Sequence, residues 1–422
     1  MTVPTVSWST APAFRRAVVL PVGLCLLAVA LGRADLVVVA VPFVLGTVLS
    51  LRSRPRRVPR AGLRLEEDTV TEADPVTASV TLDGDPDAVC VVLAAAPALG
   101  HDARPRVVRA PASVPLTGTA ARWGMHAFGP VRVRAFACDG LLETAERVLP
   151  PRNVRVLPAA EPYSSRTPVP RPGGMSGIHR ARRPGDGGEL AGVRPYRPGD
   201  RLRRIDWRTT LRTREPYVNA TQPDRDAEIV ILLDVLHDAG GGGDGGGPSV
   251  LDVAVRAAAS IAGHYTHQGD RVSLVEFGPR LRRLPPGTGR RHHLLQLSWL
   301  AETRPMPGGH EFLGDRILAA GALSSSTLIV MLTPLLDPRS ATALAVLARA
   351  RRPLVAVETL PPGLPPRSGG EWSDLAERLW RLERDNTLGR LREAGVPVEA
   401  WRGSGSLDAI LREAARITAV IR

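Results

Sequence analysis

The chain has 422 residues with 55 basic and 42 acidic side chains, a net charge of +13, and only 4% of it is aromatic. That length accommodates two or three domains with real cores. Every basic residue is Arg, and the excess is local: residues 1–60 hold eight Arg and one acid, and residues 151–226 hold sixteen Arg and eight acids. Local basicity without a zinc-finger, helix-turn-helix or RNP pattern argues against a nucleic-acid-binding protein. Cys25, Cys90 and Cys138 form no C-x-x-C pair, which argues against a zinc or thioredoxin-type site.

Residues 1–60 contain two uncharged runs, 17–32 and 36–51, separated by Arg33-Ala34-Asp35. Each lies near the lower limit of about 17 residues for a spanning helix. They predict a transmembrane α-hairpin with helices at about 14–32 and 36–51. Pro21 and Pro42 are tolerated in such helices because neighbouring groups re-satisfy the freed backbone. Arg15 and Arg16 precede the pair, and Arg52, Arg54, Arg56, Arg57 and Arg60 follow it. By the positive-inside rule both flanks, and everything after residue 60, lie in the cytoplasm at the plasma membrane. A cleaved signal peptide is the rival reading. The second apolar run, with no small-residue cleavage site before it, argues against that.

Residues 61–157 alternate apolar and polar residues in short runs punctuated by Pro, Gly and Asp, the rhythm of a small antiparallel β-sandwich. Trp123 lies too far after Cys90 for an immunoglobulin core. Residues 158–226 begin with an exposed Arg/Pro/Gly-rich excursion without apolar periodicity. They end in a basic junction that holds Tyr196, Trp207 and Tyr217. From 227 to 422 strands alternate with helices: strands at 227–234, 271–277, 327–333, 353–358 and 397–401, helices at 250–267, 291–301, 313–323, 341–350, 372–392 and 407–421. This pattern predicts a doubly wound α/β domain with a parallel sheet. Ligands in such sheets bind beyond the carboxyl ends of the strands, where Asp234 and Thr333 stand.

Several motifs carry bland readings. The run 240–247 (GGGGDGGG) lacks the Gly-Lys-Ser/Thr of a phosphate-binding loop and reads as a flexible insertion. His264 and His267, and the pair His292-His293, lack a completing acid or Cys and read as helix-surface histidines. Asp200 and Asp206 lie among Arg201, Arg203, Arg204 and Arg208, which favours their ionised forms and hence salt-bridged structure over acid–base catalysis.

The segment Tyr196, Gly199, Asp200, Arg203, Ile205, Asp206, Trp207, then Arg212-Thr213 and Tyr217-Val218, resembles the signature of the domain-of-unknown-function-58 family. The stretch PPGTGRRHHLLQL from Pro285, WGMHAFGPVRVRAFACDGLLE from Trp123 and the apolar hairpin are similar to the family too. Departures are Leu211 in place of the usual Ala, Arg214 where Gly is frequent, and Asn219 for a common Arg. The resemblance implies a bacterial protein whose C-terminal half is von Willebrand factor A-like. It also implies a MoxR-type AAA+ ATPase as partner, and no enzyme activity. Such domains often hold Mg²⁺ through D-x-S-x-S, a Thr and a further Asp, hard oxygen ligands suited to that ion. Here the candidates are Asp234, Asp238, Thr333 and Asp337. Leu236 cannot ligate, so a vestigial site without Mg²⁺ is favoured.

The expectation is a membrane-anchored interaction module working with the ATPase in assembly or maturation of other proteins. Its signature would be a buried or half-buried latch formed by Tyr196, Asp200, Arg203 and Trp207. The alternatives are a metal-dependent hydrolase using Asp234, Asp238 and Asp337, and nucleic-acid binding through the basic junction.

Overall fold

The computed structural model describes residues 7–55, 57–84, 86–94, 96, 98–100, 104–109, 113–160, 189–196, 205–222, 228–241, 247–306, 327–361, 364 and 372–406, with six more between 408 and 416. The chain divides into two compact units, Met1–Leu157 and Pro158–Arg422.

The first unit opens with strand β1 (Trp8–Thr10), followed by helices α1 (Pro12–Leu31) and α2 (Asp35–Arg52). Twenty and eighteen residues extend about 30 and 27 Å. Both helices are long and apolar enough to cross a membrane. They pack on each other, and their buried residues are the small or ring-constrained Pro21, Ala28 and Ala40. The remaining faces are apolar and open: Val29 is 83% exposed and Val38 70%. A core helix of a water-soluble fold would cover such residues.

Twelve strands follow: β2 (Arg60–Leu65), β3 (Thr69–Thr71), β4 (Pro75–Asp83), β5 (Ala88–Leu93), β6 (Leu99–Gly100), β7 (Arg106–Arg109), β8 (Ser113–Ala120), β9 (Gly124–Phe128), β10 (Val131–Ala137), β11 (Leu142–Thr144), β12 (Arg147–Leu149) and β13 (Arg152–Leu157). They form three sheets, ordered β1-β11-β10-β5-β7 with β12 also on β10, β2-β4-β8-β6, and β3-β13-β9. All pairings are antiparallel except β3–β13. Alternate residues point to opposite faces of a strand, so Val76, Ala78 and Val80 of β4 and Val131, Val133 and Ala135 of β10 meet in one core. Cys90 and Cys138 are free thiols.

Strand β1, too short to show a period in the sequence, is tied into this unit. Trp8, Ser9 and Thr10 pair with Thr144, Glu143 and Leu142. Ala11 N donates to Leu141 O at 2.9 Å. Phe14, Ala17 and Leu51, from both helices, pack on Ala137, Cys138, Leu141 and Leu142. Ser50 Oγ donates to Asp139 at 2.6 Å.

The second unit begins with a two-stranded ribbon, β14 (Glu189–Pro195) and β15 (Tyr217–Gln222), bridged by a seven-residue helix, α3 (Trp207–Thr213). Its main sheet comprises β16 (Glu228–Asp234), β17 (Arg271–Phe277), β18 (Arg283–Gly287), β19 (Leu328–Thr333), β20 (Leu354–Glu358) and β21 (Val398–Ala400). The order is β18-β17-β16-β19-β20-β21, parallel except for the edge strand β18. Every residue of β19 and all but the first of β16 are buried, the pattern of strands covered on both faces. The helices are α4 (Val250–His267), α5 (Gly289–Ala301), α6 (Pro338–Arg349) and α7 (Ser373–Glu393). Val230 and Leu232 share a cluster with Leu344 and Leu347 of α6 and Leu391 of α7. Helix α4 packs on β16, β17 and β19 and against α5.

The sequence-derived bounds agree to within three residues for these elements. Strand β18 is a correction: its RLPPG sequence has two prolines, which fit a strand only at a sheet edge. The helix expected at 313–323, the excursion up to 188 and the flexible run 242–246 lie outside the described residues, as does most of the helix expected at 407–421.

The PPGTG stretch has a steric reason. A Cβ on Gly287 would lie 2.4 Å from Nδ1 of His292, whose Nε2 bonds Val272 O at 2.9 Å and ties α5 to β17. Gly287→Ala is therefore expected to lower stability by about 2–4 kcal/mol in chemical denaturation. Gly389 of α7 has open space around its Cβ position, so Gly389→Ala should raise stability by up to about 1 kcal/mol. Equal effects of the two would contradict the packing.

Candidate functional site

The chain leaves β16 toward β17 on one side and β19 on the other, so the crevice beyond these carboxyl ends is the topological switch point of the sheet. Asp234 ends β16 and Thr333 ends β19. Thr333 Oγ1 donates to Asp234 Oδ2 at 2.6 Å, and Ser340 Oγ of α6 donates to the same oxygen at 2.6 Å. Leu236 N donates to Oδ1 at 3.1 Å. The carboxyl group is 2% exposed. Burial pushes its pKa up, opposed by the hydrogen bonds from Ser340, Thr333 and the Leu236 amide.

Asp337 caps α6. Its Oδ1 accepts from Arg339 N and Nε, both at 2.9 Å, and its Oδ2 accepts from Arg339 Nη2 at 2.7 Å. His237 Nε2 lies 3.1 Å from the same Oδ2. The Arg339 fork holds the Asp337 carboxyl well below the usual carboxylate range. Leu335, between Thr333 and Asp337, sits at φ +53°, a left-handed conformation uncommon for a branched residue. Its amide donates to Thr333 Oγ1 at 3.0 Å, which holds the turn in place.

Of the sequence candidates for a metal, Asp234, Thr333 and Asp337 converge here. Asp238 does not: its Oδ1 accepts from Leu251 N at 3.3 Å in the first turn of α4. Ser340, Arg339 and His237 complete the cluster. The donor set does not fit Mg²⁺. Two hydroxyls and an amide already donate to Asp234, both Asp337 oxygens accept from Arg339, and Leu236 stands where a ligating hydroxyl would be needed. The positive charge that a cation would bring is supplied by Arg339. Among the described residues no group of three or more His, Cys, Asp or Glu could hold a metal ion.

Beside Asp337 a cleft of about 530 Å³ opens between α6 and α7. Ala341, Ala345 and Leu391 form an apolar part of its wall, and Trp380, Arg349 and Arg390 also line it.

The junction signature is built on the ribbon. Asp206 caps α3, accepting from Thr209 N at 2.9 Å, and its own amide donates to Tyr217 O at 2.8 Å. Ile205 bridges to Val218. Tyr217 N donates to Thr210 Oγ1 at 3.0 Å, and Tyr196 N donates to Pro216 O at 2.8 Å. Arg214 ends the helix at φ +59°, a conformation Gly adopts more readily. Thr213 Oγ1 bonds Thr209 O at 2.9 Å, while Arg212 is exposed. Gly199, Asp200 and Arg203 lie outside the described residues. The buried latch needs correction at Trp207, which is 65% exposed. The short helix packs through Thr209 and Thr210, and the indole is on its other face.

The family described as "Protein of unknown function DUF58" has a model that matches residues 192–363. That span runs from the ribbon through α6 and β20. "Uncharacterized protein Rv1480" of Mycobacterium tuberculosis (strain ATCC 25618 / H37Rv) is 32% identical over 201 residues, 45% of this chain and 60% of the relative. The chain thus spans about 60% of that relative's length. "Uncharacterized protein YeaD" of Bacillus subtilis (strain 168) is 26% identical over 182 residues, 42% of each chain. A "PKD domain of M14-like peptidase from Thermoplasmatales archaeon SCGC AB-540-F20" matches 23% of this chain and 98% of its own, at 12% identity and a TM-score of 0.15. That score carries no comparison of folds.

The two acids titrate with opposite signs. Asp337, with its pKa lowered, stabilises above the ordinary Asp range of about 4, and this is lost as pH falls through the folded-state value. Asp234, with its pKa raised, contributes stability at low pH that is lost as pH rises through its folded-state value. Arg339→Ala should cost about 1–3 kcal/mol at neutral pH in urea denaturation, and the gap to wild type should narrow in acid. Asp234→Ala leaves Thr333 and Ser340 without their acceptor and should cost about 2–4 kcal/mol. Asp234→Asn should cost less, since it keeps one acceptor oxygen. A gap for Arg339→Ala that is independent of pH would disprove the assignment.

Proposed function

We propose that this chain is a membrane-anchored protein-interaction module, with its folded units in the cytoplasm, that works with a MoxR-type AAA+ ATPase in assembling or maturing other proteins. The observation that carries this reading is the saturated switch-point site. The oxygens of Asp234 and Asp337 already accept from Thr333, Ser340, Leu236 and Arg339. Such a network positions loops; it does not present a base or an open ligand position. An open, mostly parallel sheet with one antiparallel edge supports a von Willebrand factor A-like domain built around that site. The ATPase comes from the family resemblance, which the DUF58 match over residues 192–363 supports.

Strand β1 supports the anchor. It precedes α1 yet pairs with β11, which follows α2. Trp8 and the sandwich therefore share one side, and two spans between them satisfy this by crossing out and back. Removal of α1 as a signal peptide would take an edge strand from the sheet. The arginines flanking the hairpin support a cytoplasmic location for both ends.

The test uses the full chain in lipid nanodiscs, titrated with a MoxR-type AAA+ ATPase from the same organism, with and without ATP. Saturable binding with a Kd below about 100 μM is expected. No binding at that concentration in either state would refute the partnership. Turnover of a hydrolysable substrate that is lost in Asp234→Ala would replace the reading with the hydrolase.

A further inference from the structure

We infer that the outer face of α3 is a lipid-binding wedge: Trp207 and Leu211 insert into the headgroup region of an anionic leaflet while Arg208, Arg212 and Arg214 meet the phosphates. The inference rests on the membrane-anchored reading. Trp207 and Leu211 lie one turn apart, about 40° apart around the helix, and are 65% and 78% exposed. Arg208 and Arg212, again one turn apart, occupy the neighbouring strip, and Arg214 follows at the helix end. All three arginines are exposed, and none forms an ion pair with a described residue. The opposite face is fixed: the Asp206 cap, the Thr210–Tyr217 bonds and the Ile205–Val218 bridge lock α3 onto the ribbon. A rigid mount that leaves a large indole and a leucine in water, edged by cations, is the composition of an interfacial helix. Trp favours the headgroup level, and Arg is drawn to anionic lipid there.

Charge and tethering decide for lipid over a protein partner. The chain brings its own bilayer through α1 and α2. A wedge of one turn, too weak to hold a free protein, then acts at the effective concentration set by its tether.

The spans contain no Trp, and Trp372 is another exposed indole among the described residues. The full chain is reconstituted into phosphatidylcholine vesicles with or without about 30% phosphatidylglycerol, and Trp emission is quenched by lipids brominated near the headgroup. With phosphatidylglycerol, Trp207→Phe should lower the quenchable emission roughly twofold, leaving the share of Trp8 in β1, just before α1. Trp372→Phe should not change it. Arg208→Ser with Arg212→Ser, or salt at about 1 M, where the Debye length is about 3 Å, should reproduce the loss. Equal quenching in wild type and Trp207→Phe, with the chain resisting carbonate extraction, overturns the wedge, keeps the anchor and leaves the face to a protein. Release of the chain by carbonate overturns the anchor, and the wedge with it.

Discussion

A carboxylate that is 2% exposed cannot keep its charge unless neighbours replace the water it has lost. At Asp234 those neighbours come from three places in the second unit: Thr333 at the end of β19, Ser340 in the first turn of α6, and the amide of Leu236 in the loop after β16. One side chain thereby sets where two adjacent strands end, how the loop after the first of them turns, and where the following helix begins. The hydroxyl of Thr333 also accepts from Leu335 N, so the strained turn at φ +53° hangs on the same network. Asp337 then fixes the start of α6 through its cap and the Arg339 fork.

Arg recurs in this role, as a Lys-free composition requires. Glu276 of β17 is paired with Arg282 at 2.6 Å, and that guanidinium lies 4.1 Å from the ring centre of Trp299 and donates to Trp299 O. Glu358 of β20 is paired with Arg384 of α7, which also donates to Pro334 O at 2.8 Å. In each pair a planar fork satisfies an acid and a backbone carbonyl together, which a point-charge ammonium does less well. Such pairs contribute little net stability once desolvation is counted, but losing one partner is costly because the other stays buried and charged. The sheet is thus pinned at β17, at the switch point and at β20 by pairs that resist piecemeal change.

The parallel strands were legible because short apolar runs between amphipathic helices have few other solutions, and 271–277 coincides with β17. Strand β18 was hidden by Pro285 and Pro286, which exclude an interior strand but not an edge. Helix α6 begins at Pro338, three residues before the start expected from the sequence, and a proline at the first helical position gives up no helix hydrogen bond. Asp234 and Thr333 stood out at strand ends. Ser340 did not, since the spacing of 106 residues between it and Asp234 carries no local signal. Asp238 lies close to Asp234 in sequence, but an otherwise unpaired amide in the first turn of α4 claims its carboxylate. Trp207 is expected from the sequence to be buried or half-buried as part of a latch, and the structure leaves it 65% exposed. A seven-residue helix is too short for its periodicity to say which face packs, and the threonines that do pack look unremarkable in the sequence.

The first unit poses a separate constraint. Apolar side chains such as Val29 and Val38 on the outer faces of α1 and α2 would carry a large hydration cost in water, and no described residue covers them. At their base the situation reverses. Ala11 is 3% exposed, and Phe14, Ala17 and Leu51 pack on the Leu141–Leu142 corner of the sandwich. The hairpin therefore does not leave the domain through a free linker: backbone hydrogen bonds on one side and the Ser50–Asp139 contact on the other hold both of its ends. In the membrane-anchored reading this fixes the sandwich at the bilayer surface rather than on a swinging tether. In that reading the sheet requires both ends of the hairpin to lie on one side of the bilayer. Because β1 completes that sheet only when Trp8 and β11 share one side, the fold itself disfavours any insertion in which a single helix crosses.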